Sequence, residues 1–247
     1  MTPYASVLLQ NNPGPMTLDG TNTWLLRAPG SERTVVVDPG QSDALHHERL
    51  LEAAPDIAVV LITHGHFDHS QLAAELHERH GVPVRAADPQ FCHGAPPLAD
   101  GEAVESSGLT VRVLATPGHT ADSVSFVVGE RDAVLTGDTI LGRGTTVVAH
   151  PDGVLGPYLE SLERLRRLGD ATVLTGHGPE LPSLADVAAY YLAHRAERLD
   201  QVRGALAQLG QDATARQIVE VVYADVDRML WPAADLSVEA QLAYLRG

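Results

Sequence analysis

The chain has 247 residues, 44% of them hydrophobic, and a formal charge of −15. That length suits one large domain, or one domain with a small appendage, and supplies a sizeable core. The acidity argues against a surface that tracks phosphates, and since all 17 basic residues are arginine, lysine-based Schiff-base or P-loop chemistry is excluded.

In chain order, residues 7–10, 23–27 and 34–38 read as strands, separated by Asn12-Pro13-Gly14-Pro15 and Pro29-Gly30, both turn signals. The third strand ends at Asp38-Pro39-Gly40. There Asp38 is either a plain turn carboxylate or an acceptor that orients a metal-bound imidazole. Residues 43–54 read as a helix. The apolar run 57–62 has the signature of a strand buried on both faces.

Directly after it comes Thr63-His64-Gly65-His66-Phe67-Asp68-His69. His64 and His66, two apart on extended backbone, point their rings the same way. Asp68 and His69 fall at the start of a helix marked by Leu72, Ala73, Leu76 and His80, and can turn towards the same point. Gly65 removes a side chain and lets the backbone bend closely around an ion.

Further on, residues 82–87, 109–115, 123–128, 133–135 and 173–174 read as short strands, and 155–168 as an amphipathic helix. The alternation gives a mixed α/β class. From residue 184 helical patterns take over, at 184–209, 214–223 and 237–246, so Pro182 marks a boundary before a helical appendage. Cys92 is the only cysteine, which rules out an internal disulfide and reads as a loop or core thiol. The N-terminus lacks a basic segment leading into an apolar one, and no apolar stretch is long enough to span a membrane, so cytoplasmic residence is expected.

Three further potential ligands share one local setting. His119, Asp138 and His177 each follow a short apolar strand and a glycine, the placement that collects ligands at the carboxyl edge of α/β sheets. With the first loop they make enough ligands for two divalent ions sharing one carboxylate.

This ordered set resembles the metallo-β-lactamase superfamily. Its pattern is an Asp at an early strand end, His-x-His-x-Asp-His, a lone His, a lone Asp and a final His. Here these are Asp38; His64, His66, Asp68 and His69; His119; Asp138; and His177, spread over residues 5–182. The resemblance implies a four-layer αβ/βα sandwich, with a catalytic domain at 1–182 and a small helical, winged-helix-like module at 183–247. It implies that His64, His66 and His119 hold one ion, that Asp68, His69 and His177 hold the other, and that Asp138 bridges them. Imidazole and carboxylate suit zinc, with iron and manganese as alternatives. Two ions ~3.5–4 Å apart can share a water and lower its pKa towards neutral, so that the hydroxide is the nucleophile. Asp68 is then a ligand first and a general base second.

Residues 12–23, Gly118-His119-Thr120, residues 140–147 and residues 176–179 resemble the β-lactamase-like protein 2 branch. Its animal members cleave single-stranded RNA, and its bacterial members are mostly uncharacterised hydrolases. The chain ends soon after Leu245, so its module is expected to lack wing strands, which weakens a nucleic-acid role. The expected activity is hydrolysis of a small ester, thioester, lactone or amide, with weak side activity on β-lactams. The alternative is a metal-dependent endoribonuclease acting on single-stranded RNA. Arg143 is a candidate to pair with a substrate anion, and Asn22 and Thr23 are candidates for the pocket rim. The arginines 164, 166 and 167 read as a solvated face balancing Glu160 and Glu163.

Overall fold

The structure is a computed structural model and describes residues 2–247. Its ten strands form two five-stranded sheets. The first runs β1 (Ala5–Leu9), β2 (Asn22–Leu26), β3 (Thr34–Val37), β4 (Ile57–Leu61), β5 (Val84–Arg85) in spatial order. The second runs β10 (Thr172–Thr175), β9 (Ala133–Gly137), β8 (Val124–Val128), β7 (Leu109–Ala115), β6 (Ala103–Ser106).

Because side chains alternate along a strand, each sheet divides its apolar residues between two cores. Val35, Val37, Val59 and Leu61 face the other sheet and meet Val111, Val113, Phe126 and Leu135. Val36, Val60 and Ile62 face outwards onto Leu50 of α1 (Ala44–Ala53) and onto Leu72 and Leu76 of α2 (Phe67–His80). On the far side, Val127, Val134 and Val173 pack against Tyr158 and Leu162 of α3 (Leu155–Arg166) and Tyr191 of α4 (Leu184–Leu209). The layers are thus helix, sheet, sheet, helix, the αβ/βα sandwich expected. Phe126, fully buried between the sheets, is a central filler whose truncation to Ala costs about 3–5 kcal/mol.

Strand direction explains where a site can form. β3 and β4 are parallel, β9 and β10 are parallel, and β7 and β9 both pair antiparallel with β8. The carboxyl ends of β3 and β4 therefore share one edge of their sheet, and those of β7, β9 and β10 share one edge of theirs. All five ends lead into candidate ligand loops.

The C-terminal part begins with α4, capped by the Ser183 hydroxyl. The boundary expected at residue 182 falls just before this helix, but the first half of α4 packs in the same core as α3. Its second half joins α5 (Ala215–Val222) and α6 (Trp231–Arg246) through Val202, Ile218 and Val238. α5 opens with a reciprocal capping box between Thr214 and Gln217. Among the described residues no strand follows α4. Helix α6 starts six residues earlier than the sequence pattern indicated.

Candidate metal centre

Five histidines and two aspartates converge at the shared edge, in two groups: His64, His66, His119 and Asp138, then Asp68, His69 and His177. In the first group His66 Nδ1 lies 3.0 Å from His64 Nε2 and 3.2 Å from His119 Nε2. In the second, His177 Nε2 lies 3.2 Å from His69 Nε2 and 3.2 Å from Asp68 Oδ2. Asp138 stands between them. Its Oδ1 is 3.5 Å from both His69 Nε2 and His177 Nε2, while its Oδ2 is 3.7 Å from His119 Nε2.

The outward nitrogens fix what the inward ones present. Thr63 Oγ1 donates its one proton to Asp38 Oδ2, so it must accept from His64 Nδ1, 3.0 Å away. His119 Nδ1 donates to the Val147 carbonyl at 2.9 Å, His177 Nδ1 to the Gly20 carbonyl at 3.1 Å, and His69 Nδ1 to Asp38 Oδ2 at 2.9 Å. In their neutral forms these four rings turn Nε2 lone pairs towards the centre. Lone pairs at such separations repel unless a cation or protons lie between them. Asp138 Oδ1 is itself buried without a hydrogen-bond partner. The donor set therefore fits divalent metal ions, with imidazole nitrogens oriented by outer hydrogen bonds.

Electrostatics point the same way. Burial holds the His64 and His119 pKa values below the ordinary histidine range. Burial also opposes charge on His177, but Asp138 and Asp68 outweigh it and push the pKa up to about 10. For Asp138, burial raises the pKa, yet His69 and His177 more than offset this and hold it well below the usual carboxylate range. Asp68 shifts downwards by the same balance, with His177 and His69 against burial.

Asp38, at a left-handed φ of 52°, is the carboxylate that His69 Nδ1 meets. Asn22 is buried, and its amide donates to the Thr175 and Gly178 carbonyls at 3.0 and 2.8 Å, bracing the turn that carries His177. Thr23 likewise donates to the Asp38 carbonyl at 2.8 Å. The space left by Gly65 is taken by the Phe91 ring rather than by an ion, since a Cβ there would meet Cε2 at 2.1 Å. The glycine that crowds the site is Gly176, where a Cβ would meet Asp138 Oδ1 at 2.7 Å and His69 Cε1 at 2.8 Å.

A cleft of about 350 Å³ opens from His119 and Asp138 and reaches Tyr223, Leu230 and Ala234 of the C-terminal module. His66 is exposed beside the centre, so the ligand cage is open to solvent. Arg143 lines the cleft but is exposed and held by Asp19, Nη2 to Oδ1 at 2.8 Å. Sequence reasoning missed Arg195 and Arg198, which also line it. The signal was present: Leu184, Ala188, Tyr191, Leu199 and Val202 form a helical apolar stripe, and Arg195 interrupts it. The arginines of α3 pair with acids, Arg164 with Asp100 and Arg166 and Arg167 with Glu163.

An αβ/βα sandwich with a His/Asp cage at the sheet edges defines a metal-dependent hydrolase. Residues 16–177 match the metallo-beta-lactamase superfamily and residues 214–246 the beta-lactamase associated winged helix domain. The chain belongs to the metallo-beta-lactamase superfamily. It is similar to a beta-lactamase-like protein 2 homolog of Drosophila melanogaster, 33% identical, covering 96% of this chain and 86% of that one. It is also similar to an atrochrysone carboxyl ACP thioesterase of Aspergillus fumigatus, 31% identical, covering 94% and 79%. Among solved structures, a beta-lactamase domain protein from Burkholderia ambifaria is 27% identical with a TM-score of 0.83, covering 99% and 86%.

Proposed function

We propose that this chain is a binuclear hydrolase that cleaves a small ester or thioester, with lactones and amides as neighbouring substrates. The observation that carries the reading is Asp138, whose two oxygens face opposite ligand groups as a bridging carboxylate would. His64, His66 and His119 would hold one divalent ion and Asp68, His69 and His177 the other, zinc first by donor type. Such ions supply Lewis acidity and a water acidified towards neutral pH. Asp68, whose Oδ2 lies 3.2 Å from His177 Nε2, would stand beside the ions as a ligand and proton acceptor. Leu18, Leu141, Val147 and Leu230 give the cleft an apolar wall, which suits an acyl chain. The similarity to a fungal carrier-protein thioesterase supports the same bond class.

The test is a panel of thioester, lactone, β-lactam and single-stranded RNA substrates, run with metal-loaded and chelator-treated protein. Chelator-sensitive turnover led by the thioester supports the proposal. Turnover confined to RNA would replace it with phosphodiester cleavage, a reading that the charge of −15 disfavours.

A further inference from the structure

Arg195 is the only buried arginine among the described residues. Burying a guanidinium is costly unless it is paired and hydrogen-bonded. Here Nη2 donates to the Thr146 carbonyl and the guanidinium lies 5.1 Å from the centre of the Tyr158 ring. Nε has no partner, and no carboxylate pairs with the group. Arg198, one turn on, stacks over Tyr223 at 4.7 Å and donates to Gln201 at 2.9 Å, again with no carboxylate partner. Side chains three apart on a helix are neighbours, and both line the cleft.

The rest of the wall makes this pair informative. The chain carries 32 acidic residues, yet Asp138, turned into the ligand cage, is the one carboxylate lining this cleft among the described residues. Arg143 is already neutralised by Asp19. Arg195 also sits next to the chemistry: the Thr146 hydroxyl donates to the Asp138 carbonyl, and the adjacent Val147 carbonyl accepts from His119 Nδ1.

We propose that Arg195 and Arg198 form an oxyanion-binding subsite, so that the substrate is an ester or thioester carrying a carboxylate or phosphate near the scissile carbonyl. This rests on the hydrolase reading above and names its substrate class. Planar guanidinium forks match carboxylate and phosphate oxygens. The apolar wall takes the uncharged part of the molecule, and the aromatic faces of Tyr158 and Tyr223 keep both guanidiniums in place.

Three thioesters test it. Butyryl-N-acetylcysteamine is the neutral reference, glutaryl-N-acetylcysteamine puts a carboxylate on the acyl half, and butyryl-phosphopantetheine puts a phosphate on the thiol half. At least one charged member is expected to exceed the reference in kcat/KM by about 10- to 100-fold, the scale of a charge-assisted hydrogen bond. Which member gains tells where the anion resides. The ratio should collapse in Arg198→Ala and in Arg195→Gln, and persist in Arg203→Ala on the outer face of the same helix. Calorimetric titration of chelator-treated protein with glutarate and inorganic phosphate gives a second readout, with binding expected in the wild type and lost in Arg198→Ala. Equal turnover of all three thioesters, or a preference that survives both substitutions, would overturn the proposal. Anion binding that depends on Arg198 in a protein that cuts none of the thioesters would retain the subsite and reject the reaction class. Single-stranded RNA bound through these two arginines in preference to either small anion would also overturn it.

Discussion

Asp38 Oδ2 and His69 Nδ1 lie 2.9 Å apart, both side chains buried. The same carboxylate accepts from the Thr63 amide at 2.8 Å and the Thr63 hydroxyl at 2.7 Å. Three donors thus converge on one residue, which orients His69 directly and His64 through Thr63. An asparagine keeps the shape and tolerates the left-handed backbone, but its NH2 must face one of those donors. Asp38→Asn is expected to weaken metal binding by about 10- to 100-fold, the usual cost of losing an outer partner of a ligand imidazole. Competition with a chromophoric chelator measures this. Unchanged affinity would mean that His69 is oriented by something else.

The protonation state of the metal-free centre gives a second expectation. His177 has its pKa raised to about 10 in the folded chain, from an ordinary value of 6.5. Its contribution to stability is therefore fully present below 6.5 and is lost as pH rises through about 10. His64 and His119 are shifted downwards, so they remain neutral in the fold and oppose folding as pH falls below the ordinary value. Chelator-treated protein should lose thermal stability on both sides of neutrality, with His177, and His69 shifted in the same direction, contributing to the alkaline loss. Metal must displace the proton that His177 carries, so loading near pH 7 should release protons. Calorimetry in buffers of different ionisation enthalpy counts them. A metal-free Tm that stays flat between pH 8 and 10 contradicts this account of His177.

Gly176 offers a test of crowding at the bridge. Its backbone is one that alanine can adopt, but an added Cβ would lie 2.7 Å from Asp138 Oδ1, 2.8 Å from His69 Cε1 and 3.1 Å from the Gly137 backbone. The methyl pushes apart the bridging oxygen and a ligand of the second group. Gly176→Ala should bind fewer than two metals per chain and lose activity by more than about 100-fold, as displaced catalytic geometry does. Metal content by plasma emission and turnover of a model thioester would show it. Full occupancy with wild-type turnover would refute the bridging role of Asp138.

What the sequence revealed follows from where the physical signal is local. The run 57–62 and the loop behind it are legible because both faces of β4 are buried and the ligands crowd into a few residues. β6 was missed because Ala103 and Glu105 are exposed, so its strand character comes from pairing with β7 rather than from an apolar alternation. The early start of α6 was hidden by Pro232, which reads as a breaker in sequence but sits in the first helical turn, where no intrahelical N–H is needed. The contacts of Asn22 were not legible because an amide looks the same in sequence whether it meets substrate or two backbone carbonyls 153 and 156 residues away. Arg195 needed its helix stripe to be read as a burial pattern first, and only then does the charge stand out.

Gly65 and Phe91 form a pair that separates packing from chemistry. The glycine lies between two ligand histidines, which suggests close approach to an ion, yet the space it leaves is filled by the Phe91 ring, 2.1 to 2.3 Å from an ideal Cβ. Phe91 ends a 3-10 turn that follows β5 and packs onto the outer core of the first sheet. Gly65→Ala must therefore displace either that ring or the His64–His66 backbone. Overpacking of this kind costs about 1–3 kcal/mol, and any movement of the backbone carries both ligands with it. The single variant should lose thermal stability and bind metal more weakly. Adding Phe91→Ala removes the clash, so the double variant should recover metal affinity while staying less stable, because the core has lost an aromatic ring. Chelator competition and thermal unfolding on all four proteins form the cycle. Failure of the second substitution to restore affinity would show that the methyl acts on the metal centre itself and not through Phe91.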